Sequence, residues 1–490
     1  MTNFYQELEL AFRKNAERPS LFVGEAVWSY GDLMEWVNHF AGVLVGAGVT
    51  PGDRVVVQVD KSAENLALYL AALHVGGVYV PLNTGYTTGE LDYFISNSKP
   101  RLFVGSVGRN DVQSLTLTAD GEGSLVQSID HSRAPFGPVA RKESDLASIL
   151  YTSGTTGRSK GAMLTHGNLL SNALALTDCW GWKKSDVLLH ALPIFHVHGL
   201  FIASHCALLN GTPMIFLPKF DAAEVFDKIP ECTVLMGVPT FYTRLLQQEG
   251  LTHDYVSRVR LFICGSAPLT EITFKDWETK TGYKILERYG MSETIINTSN
   301  PLDGERVPGS VGFPLPGLSL RVADDAGLEV PRGAVGVIEV SGPAVFKGYW
   351  EMPEKTHEEF RADGFFITGD LGTQDEQGRV NIVGRAKDLV ISGGFNVYPK
   401  EVEALIDEIP GVQESAVIGV PHADFGEAVV AVIVPSGADI SLDLLKIELS
   451  EKLAKFKQPK AVVNVSELPR NTMGKVQKNL LRQSYLDLMN

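Results

Sequence analysis

Cysteine is scarce in this chain: four in 490 residues, Cys179, Cys206, Cys232 and Cys264. No two stand at the spacing of a metal pair or a redox dithiol. Neither a zinc module nor a disulfide framework is expected, and four scattered thiols fit a reducing compartment. Long apolar runs are missing too; a membrane helix needs about 18 or more such residues. The first 19 positions carry Glu7, Glu9, Arg13, Lys14, Glu17 and Arg18 without a continuous apolar stretch. No signal peptide and no membrane association are therefore expected, and cytoplasmic residence follows as the expectation. Basic charge is in deficit, with 43 Lys and Arg against 58 Asp and Glu, a net charge of −15. That balance argues against a nucleic-acid partner, whose phosphates need a basic patch. A small anionic ligand stays open, because local cations and helix N-termini can outweigh the global charge.

What is present reads as a globular protein, 44% hydrophobic and 21% charged, long enough for about three units of ordinary domain size. Arg54-Val-Val-Val-Gln-Val is short and β-branched, as strands are. Ala63 to His74 has helical apolar spacing, Gly76-Gly77 breaks it, and Val78-Tyr-Val resumes a strand. Apolar strands recur at Leu102, Met214, Thr233 and Leu261. Alternation with helices predicts an α/β protein whose large N-terminal domain is built of layered, mostly parallel sheets covered by helices. From about 301 to 386 Gly and Pro punctuate short strands, which predicts a β-rich subdomain or barrel. Beyond Arg385 the pattern becomes a compact α+β unit, with strands at Leu389, Ala416 and Val429 and helices over Tyr398 to Glu408 and Ser441 to Leu453. The expected domains are 1–386 and 387–490.

The segment richest in chemistry is Tyr151-Thr-Ser-Gly-Thr-Thr-Gly-Arg-Ser-Lys-Gly161, straight after the apolar Ala147-Ser-Ile-Leu. Gly154 and Gly157 let the backbone curl so that several N–H groups face one anion. Thr152, Ser153, Thr155 and Thr156 add hydroxyls, and Lys160 adds charge. A Gly/Ser loop is ordinarily a polar surface turn, but this density of donors behind a buried strand describes a phosphate cradle. It is not a Walker A loop, since the Gly-Lys-Ser/Thr ending is absent.

This loop resembles the phosphate-binding signature of the adenylate-forming enzymes, which include acyl-CoA synthetases, firefly luciferase and peptide-synthetase adenylation domains. Five further blocks follow in that family's order: Gly265-Ser-Ala-Pro268, Glu287-Arg-Tyr-Gly-Met-Ser-Glu-Thr294, Ile367-Thr-Gly-Asp-Leu371, Gly384-Arg-Ala-Lys-Asp-Leu389 and Pro469-Arg-Asn-Thr-Met-Gly-Lys475. Six ordered blocks across nearly the whole chain are far more specific than any one. The resemblance implies an ATP-dependent acid–CoA ligase with Mg²⁺ as cofactor and coenzyme A as co-substrate. It implies Lys475 as the catalytic cation on carboxylate and α-phosphate, and Glu293 as the Mg²⁺ ligand. Thr294 is implied near the α-phosphate. Gly265, Ser266, Ala267, Pro268, Glu287, Arg288, Tyr289 and Gly290 should line the adenine, with Asp370 and Arg385 on the ribose. It further implies a mobile C-terminal domain hinged at Lys387, bringing Ser392, Gly393 and Gly394 to the pantetheine arm of CoA. A protein lysine acetyltransferase acting on Lys475 is a candidate partner.

The acid is read from Pro193-Ile-Phe-His-Val-His-Gly-Leu200 and Met236-Gly-Val-Pro-Thr-Phe-Tyr-Thr-Arg244. A fatty-acyl tunnel would be lined by Leu, Phe and Gly. His198, Arg244 and Arg288 beside Met291 suggest instead a second carboxylate, which arginine can grip bidentately. These segments resemble those of the malonate-activating members of the family. Val197 stands where that group often carries threonine, which leaves tolerance for methylmalonate open. Ligation of another short acid to CoA is the alternative, as is an adenylating enzyme that feeds a separate carrier protein. A non-catalytic nucleotide-binding module would have no need of Lys475, Glu293 and Asp370 together.

Overall fold

The structure is a computed structural model that describes residues 3–152, 159–471 and 474–489. Among the described residues the strands form three sheets. The first has six strands in the order Ser114–Thr116, Leu102–Gly105, Arg54–Gln58, Val78–Pro81, Leu146–Thr152 and Lys160–Thr165. Its neighbours pair in parallel except the last two, which form a hairpin. The helix Ala63–His74 is buried at every residue but Glu64, as its almost unbroken apolar sequence requires. Ser62 caps it by accepting from the Asn65 N–H, and Gly76, at φ +73°, turns the chain into the next strand.

The second sheet runs through thirteen strands. One half is parallel and holds, side by side, Leu286–Tyr289, Leu261–Cys264, Val234–Gly237, Leu188–His190 and Met214–Phe216. The other half is antiparallel and holds Ser310–Pro314, Val380–Arg385, Phe366–Gln374, Gly336–Ser341 and Ser319–Ala323. Thr298–Ser299 joins the halves. The punctuated region is thus β-rich, but its strands extend the large sheet instead of closing on themselves.

The third sheet has five strands within 390–464, with the helices Pro399–Asp407, Leu442–Leu449 and Lys478–Ser484 nearby in sequence. Each of its faces has its own apolar cluster. One is built on Val417, Val429, Ala431 and Ile433, the other on Ile418, Val430 and Val432. Alternate residues of one strand thus serve opposite sides. All four cysteines are free thiols. Among the described residues no helix is long and apolar enough to cross a membrane.

Candidate active site

In open α/β sheets ligands collect at the carboxyl ends of parallel strands, and here two such ends lie side by side. The strand Leu261–Cys264 runs into Gly265 and Ser266, the latter held at φ +73°. Leu286–Tyr289 lies beside it and carries Arg288. A β-carbon at Gly265 would fall 2.6 Å from Cζ of Arg288, so only glycine leaves the guanidinium room to lie there. Arg288 is buried, and its Nε and Nη2 have no hydrogen-bond partner among the described residues. Burial lowers its pKa to about 10, which still leaves it charged at neutral pH. Ser266 Oγ is 3.1 Å from Nδ1 of the buried His198, whose Nε2 is also without a partner among the described residues. Burial, then the Arg288 charge, hold His198 well below the usual histidine range. The same causes, with Lys475, push His196 down to about 4. Both rings are neutral.

Arg244 is corrected by the structure. The helix Pro239–Leu245 buries Phe241, Tyr242 and Leu245, and Arg244 lies on its exposed side. The buried arginine of the acid side is Arg288, which the sequence had assigned both to adenine and to the acid. Met291 is half-buried against the main core, and Val197 is buried in it.

Alternation along Leu286–Tyr289 turns Glu287 and Tyr289 away from the face that carries Arg288. The Tyr289 hydroxyl donates to Asp370 Oδ2 at 2.6 Å, and Arg385 Nε lies 2.9 Å from Asp370 Oδ1. Asp370 and Arg385 are cross-strand partners. Glu287 is instead buried with Oε1 accepting the Gly309 N–H at 3.2 Å. Burial raises its carboxyl to about 8 against the opposing charge of Lys400. One of its carboxyl oxygens thus makes a structural contact with the Gly309 backbone. Gly290 has Ile295 O within 2.0 Å of where a β-carbon would stand. Ala267 is half-buried and Pro268 exposed at the rim.

On the phosphate side, Thr152 pairs with Lys160 across the hairpin. Ser153, Gly154, Thr155, Thr156 and Gly157 lie outside the described residues. Lys160 Nζ reaches Glu359 Oε1 at 2.9 Å and sits 4.2 Å from the Tyr349 ring centre. Tyr349 donates to Glu359 at 2.6 Å and lies 3.1 Å from Oε1 of Glu293. Glu293 is buried, which raises its pKa, and no lysine or arginine pairs with it among the described residues. Thr294 Oγ1 is buried without a partner among the described residues. No three of the described His, Cys, Asp and Glu side chains are grouped to hold a metal. A magnesium ion here would rest on Glu293 and on nucleotide oxygens, as Mg²⁺ commonly does, and the unpaired carboxylate fits one. Tyr349 and Glu359 carried no signal in the sequence, because nothing local links them to Glu293.

Lys475 enters from the third sheet's side of the chain. Asn471 clasps its backbone, Oδ1 accepting the Lys475 N–H at 3.0 Å and the Asn471 N–H donating back at 2.9 Å. Gly474, at φ +74°, packs on Thr240. Burial and the Arg385 charge push the Lys475 amine down to about 8, against the pull of Asp370 and Asp388. Lys387 is likewise pushed to about 8, by burial and Arg385. It lies in the helical turn Ala386–Asp388. Gly393 and Gly394, both at positive φ, form an exposed hairpin turn between Val390–Ser392 and Phe395–Val397. The buried Ser392 accepts from Lys460.

The profile of the AMP-binding enzymes matches residues 8–350, and that of their C-terminal domain matches 401–475. This chain belongs to the AMP-binding enzyme family. Within that family the chain is 37% identical to the mitochondrial malonate–CoA ligase of Mus musculus over 490 residues, 89% of this chain and 83% of that protein. The crystal structure of ATP-bound MatB from Rhodopseudomonas palustris is 54% identical, covers 100% of both chains and superposes with a TM-score of 0.96. The apo structure of the same protein gives 0.85. This AMP-binding enzyme thus has the arrangement closer to the ATP-bound form, and in it Lys475 feels the charges of Asp370 and Arg385. The fold is that of the adenylate-forming enzymes, as the ordered blocks implied, and its chemistry is AMP-forming ligation of an acid to CoA.

Proposed function

We propose that this enzyme ligates malonate to coenzyme A through a malonyl adenylate. One carboxylate oxygen of malonate attacks the α-phosphorus of ATP and pyrophosphate leaves. The CoA sulfur, giving up its proton, then attacks the acyl carbon, and AMP leaves as malonyl-CoA forms. The observation that carries the acid is Arg288: a buried, charged guanidinium with two nitrogens that have no partner among the described residues, near His198 Nε2, which likewise has none. A buried charge without a partner is costly. An anion that enters this cleft offsets that cost, and the carboxylate of malonate not consumed in the reaction supplies one.

The remaining residues follow. Lys475 balances the charge that gathers where carboxylate meets α-phosphate. Asp370, held by Tyr289 and Arg385, accepts the ribose hydroxyls. Thr294 faces the α-phosphate, and the loop 152–160 cradles the others. Magnesium, when bound, screens the phosphate oxygens. Lys387 is the hinge about which residues 387–490 turn, withdrawing Lys475 and admitting the Gly393–Gly394 hairpin with CoA. A lysine acetyltransferase acting on Lys475 would erase its charge and stop adenylation; peptide mass spectrometry after acetylation would map that site.

The test is kcat/KM for malonate, methylmalonate, succinate, acetate and octanoate with ATP and CoA. Malonate should lead, with methylmalonate weaker. A preference for acetate or octanoate would overturn the assignment of the acid, and adenylate release without thioester would favour transfer to a carrier protein.

A further inference from the structure

A buried lysine lies behind the acid side, with no carboxylate paired to it among the described residues. Lys61 stands between the strand Arg54–Gln58 of the six-stranded sheet and the helix Ala63–His74. Its Nζ crosses to the large sheet, donating to His190 O at 2.7 Å and meeting His190 Nδ1 at 2.8 Å, with the Phe216 ring centre 4.1 Å away. His190 is itself buried, and its Nε2 lies 3.0 Å from Gly199 O and 3.2 Å from Ser204 Oγ. Gly199 O is a carbonyl and can only accept, so Nε2 carries the hydrogen and Nδ1 must accept from Lys61. Ser204 Oγ also donates to Gly199 O at 2.9 Å. Burial holds the Lys61 amine and the His190 ring well below their usual ranges. Two hydrogens of the amine thus go to His190, one to its carbonyl and one to its ring.

The chain of bonds ends on a specific piece of backbone. His198–Ser204 is a wide π-helical turn, a form found most often at functional sites. Its first residue is His198, whose ring meets Ser266. Its second is Gly199, where a β-carbon would fall 2.1 Å from Pro193 O. The carbonyl held by His190 and Ser204 therefore belongs to the residue directly after His198. We propose that Lys61 and His190 are positioning residues for acid recognition. Their bonds fix the Gly199 carbonyl, and so the turn that aims His198 into the cleft beside Arg288. This rests on the reading of the cleft as the acid site.

The test uses the full-length enzyme with Lys61→Met, His190→Phe and His190→Gln, the last keeping a donor for Gly199 O. Wild type is first measured on the acid panel, which tests the malonate reading by itself; the variants are then compared with wild type on whichever acid it prefers. The expected result is a rise in KM for the acid of roughly 3- to 30-fold in Lys61→Met and His190→Phe. KM for ATP should hold, and His190→Gln should recover part of the loss. An unchanged acid KM would overturn the inference, as would equal changes in the acid and ATP values. Failure of both Lys61→Met and His190→Phe to fold would overturn it too, since the pair would then serve to hold the two sheets together.

Discussion

The guanidinium of Arg288 lies against the backbone of Gly265, so close that a β-carbon there would stand 2.6 Å from its central carbon. The two residues end neighbouring parallel strands, and the missing side chain at one makes room for the charge on the other. Gly265→Ala should therefore act as a mild form of Arg288→Ala. Truncating one member of a buried charge pair costs roughly 2–5 kcal/mol, so Arg288→Ala should lose at least about 30-fold in kcat/KM for malonate. Gly265→Ala should lose less, and acetate should be affected least in both. Arg244→Ala, being exposed, should stay within about 0.5 kcal/mol of wild type. Steady-state kinetics on malonate and acetate with these three variants checks the ranking.

Lys475→Ala should cost adenylation about 10²–10³-fold, the scale for a lost electrostatic stabiliser. Thioester formation from preformed malonyl adenylate should change much less. The amine titrates near 8 because burial and Arg385 disfavour its charge. Its charged form prevails below that pH, so kcat/KM for ATP should fall as pH rises through about 8. Lys387 titrates in the same range, so the discriminating measurement is the profile of Lys387→Met, which should keep the alkaline limb. If it vanishes there, Lys475 is not its source.

Glu293 is buried with Tyr349 as its hydroxyl partner. Glu293→Gln keeps that shape and removes the charge. The Mg²⁺ concentration for half-maximal activity should rise several-fold, whereas Tyr349→Phe should shift it less. A magnesium titration at saturating ATP reads both.

Lys387 occupies a single helical turn, whose φ proline shares. Lys387→Pro should hold the arrangement that makes the adenylate and impede the turn that follows. Adenylate should accumulate while malonyl-CoA formation slows. Quenched-flow analysis of both products checks this, and equal loss of both in a folded variant would refute the hinge.

Much of this was legible because the signals are local. The helix Ala63–His74 announces itself by spacing and by the Gly76 that ends it. Asp370 and Arg385 stand in separate blocks, yet each block marks its own strand, and pairing the strands brings the charges together. The fate of Glu287 was not legible. It shares a block with Arg288 and Tyr289, and only the fold brings Gly309 and the charge of Lys400 to it.

By itself the sequence determined the layered sheets and the order of the chemical blocks, since each is written in the periodicity or composition of a short stretch, and the resemblance of those blocks to a known family implied the reaction. It also supplied two arginines for the acid and no means of choosing between them. Tertiary structure buried Arg288 and left Arg244 exposed, because burial depends on which face of a helix or strand meets the rest of the chain. It likewise joined Lys61 to His190 across 129 residues. Neither residue carries a mark of that pairing, which comes into being only when two sheets pack and exclude water from between them.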